Sequence, residues 1–262
     1  MIATNDVRPV VAGIDGTEAA IDAARFAAVA GAATGSPLVL VAVTGDGDPV
    51  LDQEYARDSL RAAARAVAEM NIGVDVTSEV LDGEVEDVLR KRSADAALMV
   101  LGSRRKGFAA RLVFGSTTGA LARSAHCPVA VAPPDPAPEV VGERPVVALV
   151  VENTDPIAME TAIDAARARN AELLVLAAGE DPEPSVERIR EMADDMVVDG
   201  ITVRGRVPNQ LEHLAGRLAV VVVEGPRTGN HSLRPIARSV LFDGRFPVLI
   251  VPAADGVLAT AG

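Results

Sequence analysis

Three stretches of this 262-residue chain occur twice, in the same order, and that repetition decides what it can fold into. Arg8-Pro9-Val10-Val11-Ala12 returns as Arg144-Pro145-Val146-Val147-Ala148, and Ala20-Ile21-Asp22-Ala23-Ala24-Arg25 returns as Ala162-Ile163-Asp164-Ala165-Ala166-Arg167. Cys127-Pro128-Val129-Ala130-Val131-Ala132-Pro133 is paralleled by Phe246-Pro247-Val248-Leu249-Ile250-Val251-Pro252. The spacings are 136, 142 and 119 residues, so the second copy gains six residues early and loses 23 later. We read tandem copies of one domain over 1–134 and 144–253. A stiff Pro-rich linker joins them at 135–143, and a tail follows at 254–262.

Each copy alternates strand and helix patterns. Near-continuous apolar runs at 9–14, 38–43, 73–80, 96–101 and 128–132 read as strands buried on both faces. Helical stretches at 18–33, 52–70, 85–93 and 116–125 lie between them, the first capped by Thr17. The second copy repeats the order, with strands near 146–151, 172–177, 201–206, 218–223 and 247–251. The expected class is α/β, with two tandem doubly wound parallel five-stranded sheets.

Composition removes several functions. The chain is 49% hydrophobic but only 2% aromatic, with no Trp and one Tyr, Tyr55, so it lacks the platforms that stack single-stranded nucleic acid. A net charge of −12 argues against a nucleic-acid or anionic-membrane surface. One cysteine, Cys127, excludes an internal disulfide; it reads as a small core residue. The three His are scattered over both halves and imply no metal site. With no signal-like N-terminus and no bilayer-length apolar run, a cytoplasmic protein is expected.

Doubly wound sheets bind ligands beyond the carboxyl ends of their strands, where strand order reverses. In the first copy the first strand runs into Asp15-Gly16-Thr17. The fourth runs into Gly102-Ser103-Arg104-Arg105-Lys106-Gly107, and Gly115-Ser116-Thr117-Thr118 opens the next helix. Free N–H groups, hydroxyls and the positive end of that helix suit a phosphate. Arg104, Arg105, Lys106 and Arg111 reverse the local sign of charge in an acidic chain. No GxGxxG follows the first strand, and Phe108-Ala109 stands where a P-loop needs Lys-Ser/Thr.

With these motifs the chain resembles the universal stress protein family in its tandem two-domain form. The family signature is Gly-x2-Gly-x9-Gly-Ser/Thr, with an Asp ending the first strand. Gly102, Gly115, Ser116 and Asp15 match it, and His126-Cys127-Pro128-Val129 is typical of the entry to the last strand. The resemblance implies binding of ATP or another adenine nucleotide, with or without Mg. Asp15 would contact the ribose–adenine region, the backbone near Val43 would close on the base, and Leu101 would line the pocket. Gly102 would pass under the phosphates, which Gly115, Ser116 and Thr117 would hold. It also implies halves joined through their last strands as a pseudo-dimer with two-fold symmetry, a further homodimer, and a regulatory protein partner.

Arg105 replaces the signature's second glycine. If that position needs positive φ, Arg105 impairs the cradle; if not, its guanidinium, beside Arg104, can bind phosphate. The second copy has lost the signature. A simple alignment puts Val151 where Asp15 stood, Glu224 at the entrance, and Arg234-Pro235 in place of Gly115-Ser116. That half is expected to bind no triphosphate and to serve as a pairing partner.

Bland readings stand beside these. Asp15 and Ser116 can be helix caps, and the basic loop a solvated turn. No acid–base set is evident, so a non-enzymatic, nucleotide-binding stress regulator leads. The alternatives are a ligand-free interaction module of the same fold or, less favoured, a slow ATPase.

Overall fold

The computed structural model describes residues 7–45, 49–106, 111–113, 116–133, 145–151, 155–214, 216–226, 235–243 and 246–252. The first half runs β1 (Val10–Gly13), α1 (Glu18–Thr34), β2 (Leu38–Thr44), α2 (Pro49–Ala68), β3 (Val76–Asp82), α3 (Val85–Arg92) and β4 (Leu98–Gly102). A small hairpin, β5 (Arg104–Lys106) and β6 (Arg111–Val113), then precedes α4 (Ser116–Ser124) and β7 (Val129–Ala132). The second half runs β8 (Val146–Val151), α5 (Pro156–Arg167), β9 (Glu172–Ala178), α6 (Glu183–Met192) and β10 (Val198–Val203). It ends with α7 (Val207–Glu212), β11 (Leu218–Glu224), α8 (Pro235–Asp243) and β12 (Val248–Val251). The expected linker 135–143, the tail 254–262 and the domain limits at 134, 144 and 253 lie outside the described residues.

Ten strands form one sheet in the order β10-β9-β8-β11-β12-β7-β4-β1-β2-β3. Every pairing is parallel except the one at the centre, where β12 runs antiparallel to β7 with Leu249 opposite Ala130. Read outward from that junction, both halves have the same strand order. The duplicated sequence thus folds as two doubly wound sheets related by approximate two-fold symmetry through their last strands.

Local chemistry explains the elements. Thr17 Oγ1 accepts from the Ala20 N–H to start α1, and Gly35, in the left-handed region at φ 69°, ends it. Asp155 does the same for α5 by accepting from the Ile157 N–H, with Pro156 opening the helix. The buried face of α1 is almost all alanine, including Ala20, Ala23, Ala24, Ala27 and Ala28, so the helix lies close against the sheet. One apolar cluster covers that face across both halves, joining residues of α1 and α2 to those of α5 and α6. The opposite face is split between a cluster around Met99 and Leu121 and another around Leu211 and Leu241. Within the ten-stranded sheet only the edge strands β3 and β10 carry fully exposed residues.

Four readings of the sequence are corrected. The third strand starts at Val76 rather than residue 73, because Asn71 at φ 52° and the Val74 N–H to Ile72 carbonyl bond hold the chain in a turn. Its counterpart occupies 198–203 rather than 201–206, since Gly200 lets Pro182 and Val186 pack directly on that edge strand. The basic loop is partly a hairpin, with Arg105 opposite Leu112 and Lys106 opposite Arg111. Finally, the identical pentapeptides are one residue out of structural step. Val11 pairs with Met99 and Ala148 with Val221, and these partners pair in turn with the equivalent residues Val129 and Val248. Val10 and Ala12 therefore face one side of the sheet, whereas Val146 and Ala148 face the other.

Candidate functional site

Strand order reverses between β1 and β4, and the chain leaves β1 through Asp15-Gly16-Thr17. One Asp15 carboxylate oxygen accepts from the Thr17 N–H at 3.1 Å and from the Thr17 hydroxyl at 2.6 Å. Asp15 is thereby part of the α1 cap as well as a rim residue. Gly16 adopts φ +79°, and a Cβ there would collide with the Tyr55 hydroxyl reaching down from α2. That hydroxyl donates to the Asp15 carbonyl at 3.3 Å. Together these elements enclose a cleft of about 230 Å³ at the carboxyl ends of β1 and β2. Ile14, Ala42, Val43 and Ala56 supply apolar walls; Asp15, Thr44, Asp52 and Ser59 supply polar groups. Asp15 and Val43, singled out from sequence, thus line one cleft.

The β4 end is arranged differently. Gly102 lies against the first turn of α1, where any Cβ would collide with the Ala19 carbonyl oxygen. Leu101 is buried in the cluster on the far face and approaches Gly13, where a Cβ would sit 2.7 Å from its Cδ2. It is not among the residues lining the cleft. Ser103, which sequence reasoning passed over, is buried; its N–H and hydroxyl both donate to the Ala132 carbonyl, at 3.0 and 2.9 Å, fixing where the next segment departs. Arg104 and Arg105 follow in β5. Arg105 is extended, and Asn71 and Asn170 are the non-glycine residues with positive φ among those described, so its backbone needs no glycine. Ser116 is exposed at the start of α4, followed by half-buried Thr117. Gly115 lies outside the described residues.

A family model described as the universal stress protein family matches residues 6–133. A universal stress protein of Mycobacterium tuberculosis strain H37Rv is 36% identical over 186 residues, covering 67% of this chain and 68% of that protein. The chain belongs to the universal stress protein family. A second family member from that strain is 31% identical over 206 residues, a stretch that covers 67% of this chain and 65% of that protein's length. The crystal structure of a universal stress protein from Archaeoglobus fulgidus DSM 4304 superposes with a TM-score of 0.77 over 95% of this chain and 99% of its own, at 15% identity. That likeness concerns the fold.

Within this family member the two halves differ at the site. Gly102 pairs with Ala132, and Glu224 pairs with Val251, the residue equivalent to Ala132 across the pseudo-two-fold. Glu224, only 4% exposed, therefore replaces Gly102 itself and does not merely border it. The same register makes Val151 the counterpart of Ile14 rather than of Asp15, correcting the simple alignment; the next residue, Glu152, lies outside the described residues. Pro235 opens α8 and brings no N–H to its first turn. The roof is also shortened: α2 has 20 residues and α6 has 10.

Tyr55, Asp52, Thr44 and Ser59 went unrecognised as site residues in the sequence. Tyr55 carried one available signal, as the chain's sole tyrosine. Burial pushes the Cys127 thiol up to about 12, as expected for a core residue. Among the described residues no group of three or more His, Cys, Asp or Glu could hold a metal ion, and no helix is long and apolar enough to cross a membrane.

Proposed function

We propose that this chain is a regulator that binds ATP or another adenine nucleotide in its first half, with the second half as a non-binding pairing partner. The reading is carried by the cleft beneath α2, which has apolar walls and an acidic rim at the carboxyl ends of β1 and β2. Its size suits a nucleoside, and its chemistry fits the group the family implies. Apolar side chains would flank a base, while the Asp15 carboxylate would accept from ribose hydroxyls. Gly102, packed under the first turn of α1, would pass beneath the phosphates, with Arg104 and Arg105 following it. Gly115 and the Ser116 and Thr117 N–H groups at the start of α4 would hold phosphates. In the second half a buried carboxylate at the Gly102 position would repel them. The ligand contributes polyphosphate charge, with or without Mg, that could bias a surface read by a cytoplasmic partner or a second copy.

A second reading has its own observation. Asp15 is already bonded to Thr17, and Gly102 is required by α1 packing, so both motif residues also have structural work. A ligand-free interaction module would keep them for that reason alone. With one Tyr and no Trp, the ultraviolet spectrum separates the two readings. Protein purified without nucleotide removal is expected to show an absorbance maximum near 260 nm that Gly115→Glu abolishes. A spectrum free of adenine in the unaltered protein, unchanged on incubation with ATP and desalting, favours the module.

A further inference from the structure

We propose that Tyr55 is the aromatic wall against which a bound heterocycle is held. This rests on the nucleotide reading and names the part of that ligand which α2 recognises, its flat ring. Four observations support it. The tyrosine lines the cleft together with Ile14, Ala42, Val43 and Ala56. Its position is fixed at the tip: the hydroxyl donates to the Asp15 carbonyl, and a Cβ on Gly16 would collide with that hydroxyl and sit 2.7 Å from ring Cζ. The Asp15-Gly16 turn is thus shaped to receive the end of the ring, with Gly16 at a positive φ that suits glycine. The residue is nevertheless 61% exposed, so it keeps apolar surface that a ligand ring can cover. Finally, the second half carries no aromatic residue between β9 and β10, so this wall belongs to the half that retains Gly102 and Ser116.

The wall recognises planarity and not a hydrogen-bonding pattern, because every base has a π-face. Discrimination among bases is then left to the polar rim, where Asp15, Thr44, Asp52 and Ser59 stand. Tyr55 is a binding residue through its ring, and its hydroxyl is a positioning group.

The test is calorimetric titration of the full chain with ATP in three forms: unaltered, Tyr55→Phe and Tyr55→Leu. Leucine keeps the helix and apolar bulk while removing the ring, and far-UV circular dichroism checks that each variant is folded. Tyr55→Phe is expected to bind within about threefold of the unaltered protein and Tyr55→Leu about tenfold more weakly, within what base-on-aromatic stacking contributes. Equal affinity for Tyr55→Leu and the unaltered chain would overturn the proposal and leave the nucleotide reading standing. An equal loss in both variants would overturn it too, assigning the effect to the hydroxyl. No binding to the unaltered protein would remove the nucleotide reading and this proposal with it.

Discussion

Asp15 holds two jobs in one carboxylate. It accepts from the Thr17 N–H and hydroxyl, and Thr17 in turn accepts from the Ala20 N–H, so the rim of the cleft and the cap of α1 are one hydrogen-bonded unit. Such double duty is why sequence reading can point to the residue without separating cap from contact. Cys127 is simpler. The residue is 3% exposed, and burial holds its thiol well above the ordinary 9.0. The neutral form is favoured by folding, so this contribution to stability is fully present below pH 9.0 and is lost as pH rises toward about 12. At pH 8 we expect iodoacetamide to label native Cys127 at least about a hundredfold more slowly than denatured protein. Equal rates would place the thiol outside the core.

Among the elements, Gly102 is where packing and function overlap most closely. A Cβ there would collide with the Ala19 carbonyl, so Gly102→Ala must push α1 off β4. Overpacking of this kind costs about 1–3 kcal/mol, so the variant should show a lower urea midpoint even without nucleotide. An unchanged midpoint would mean that the glycine is there for a ligand alone. The long helices and buried strands were legible because their apolar periods persist over many residues. The register between copies was not: identical Arg-Pro-Val-Val-Ala segments sit one residue out of step, and only pairing with β4 and β11 reveals it. The β5–β6 hairpin escaped for a related reason, since Arg104–Lys106 and Arg111–Val113 are too short to show alternation. The α2 wall was invisible because it depends on which face of that helix meets β2 and the Asp15 turn. Of the candidate site, Asp15 and Val43 were found in the cleft, while Leu101 lies in the core beside Gly13.

At the scale of the molecule, symmetry and asymmetry have separate origins. The antiparallel β7–β12 junction and a core cluster spanning both halves make one ten-stranded sheet from two copies. The hairpin strand β6 also lies alongside α8, so the second half braces the segment that follows Gly102 in the first. Against that shared frame the copies have diverged at the carboxyl ends of their strands: the roof helix is halved, and Glu224 fills the position of Gly102. Charge follows the same division, with 13 basic and 17 acidic residues through 134 and 12 against 20 afterwards. A symmetric frame with the proposed site in one half predicts one ligand per chain, which neither an intact duplication nor an inert module would give. Calorimetric titration of the full chain with ATP in the presence of Mg should therefore fit a single site per 262 residues, abolished by Gly115→Glu. Two sites per chain, or no heat of binding at all, would contradict the account.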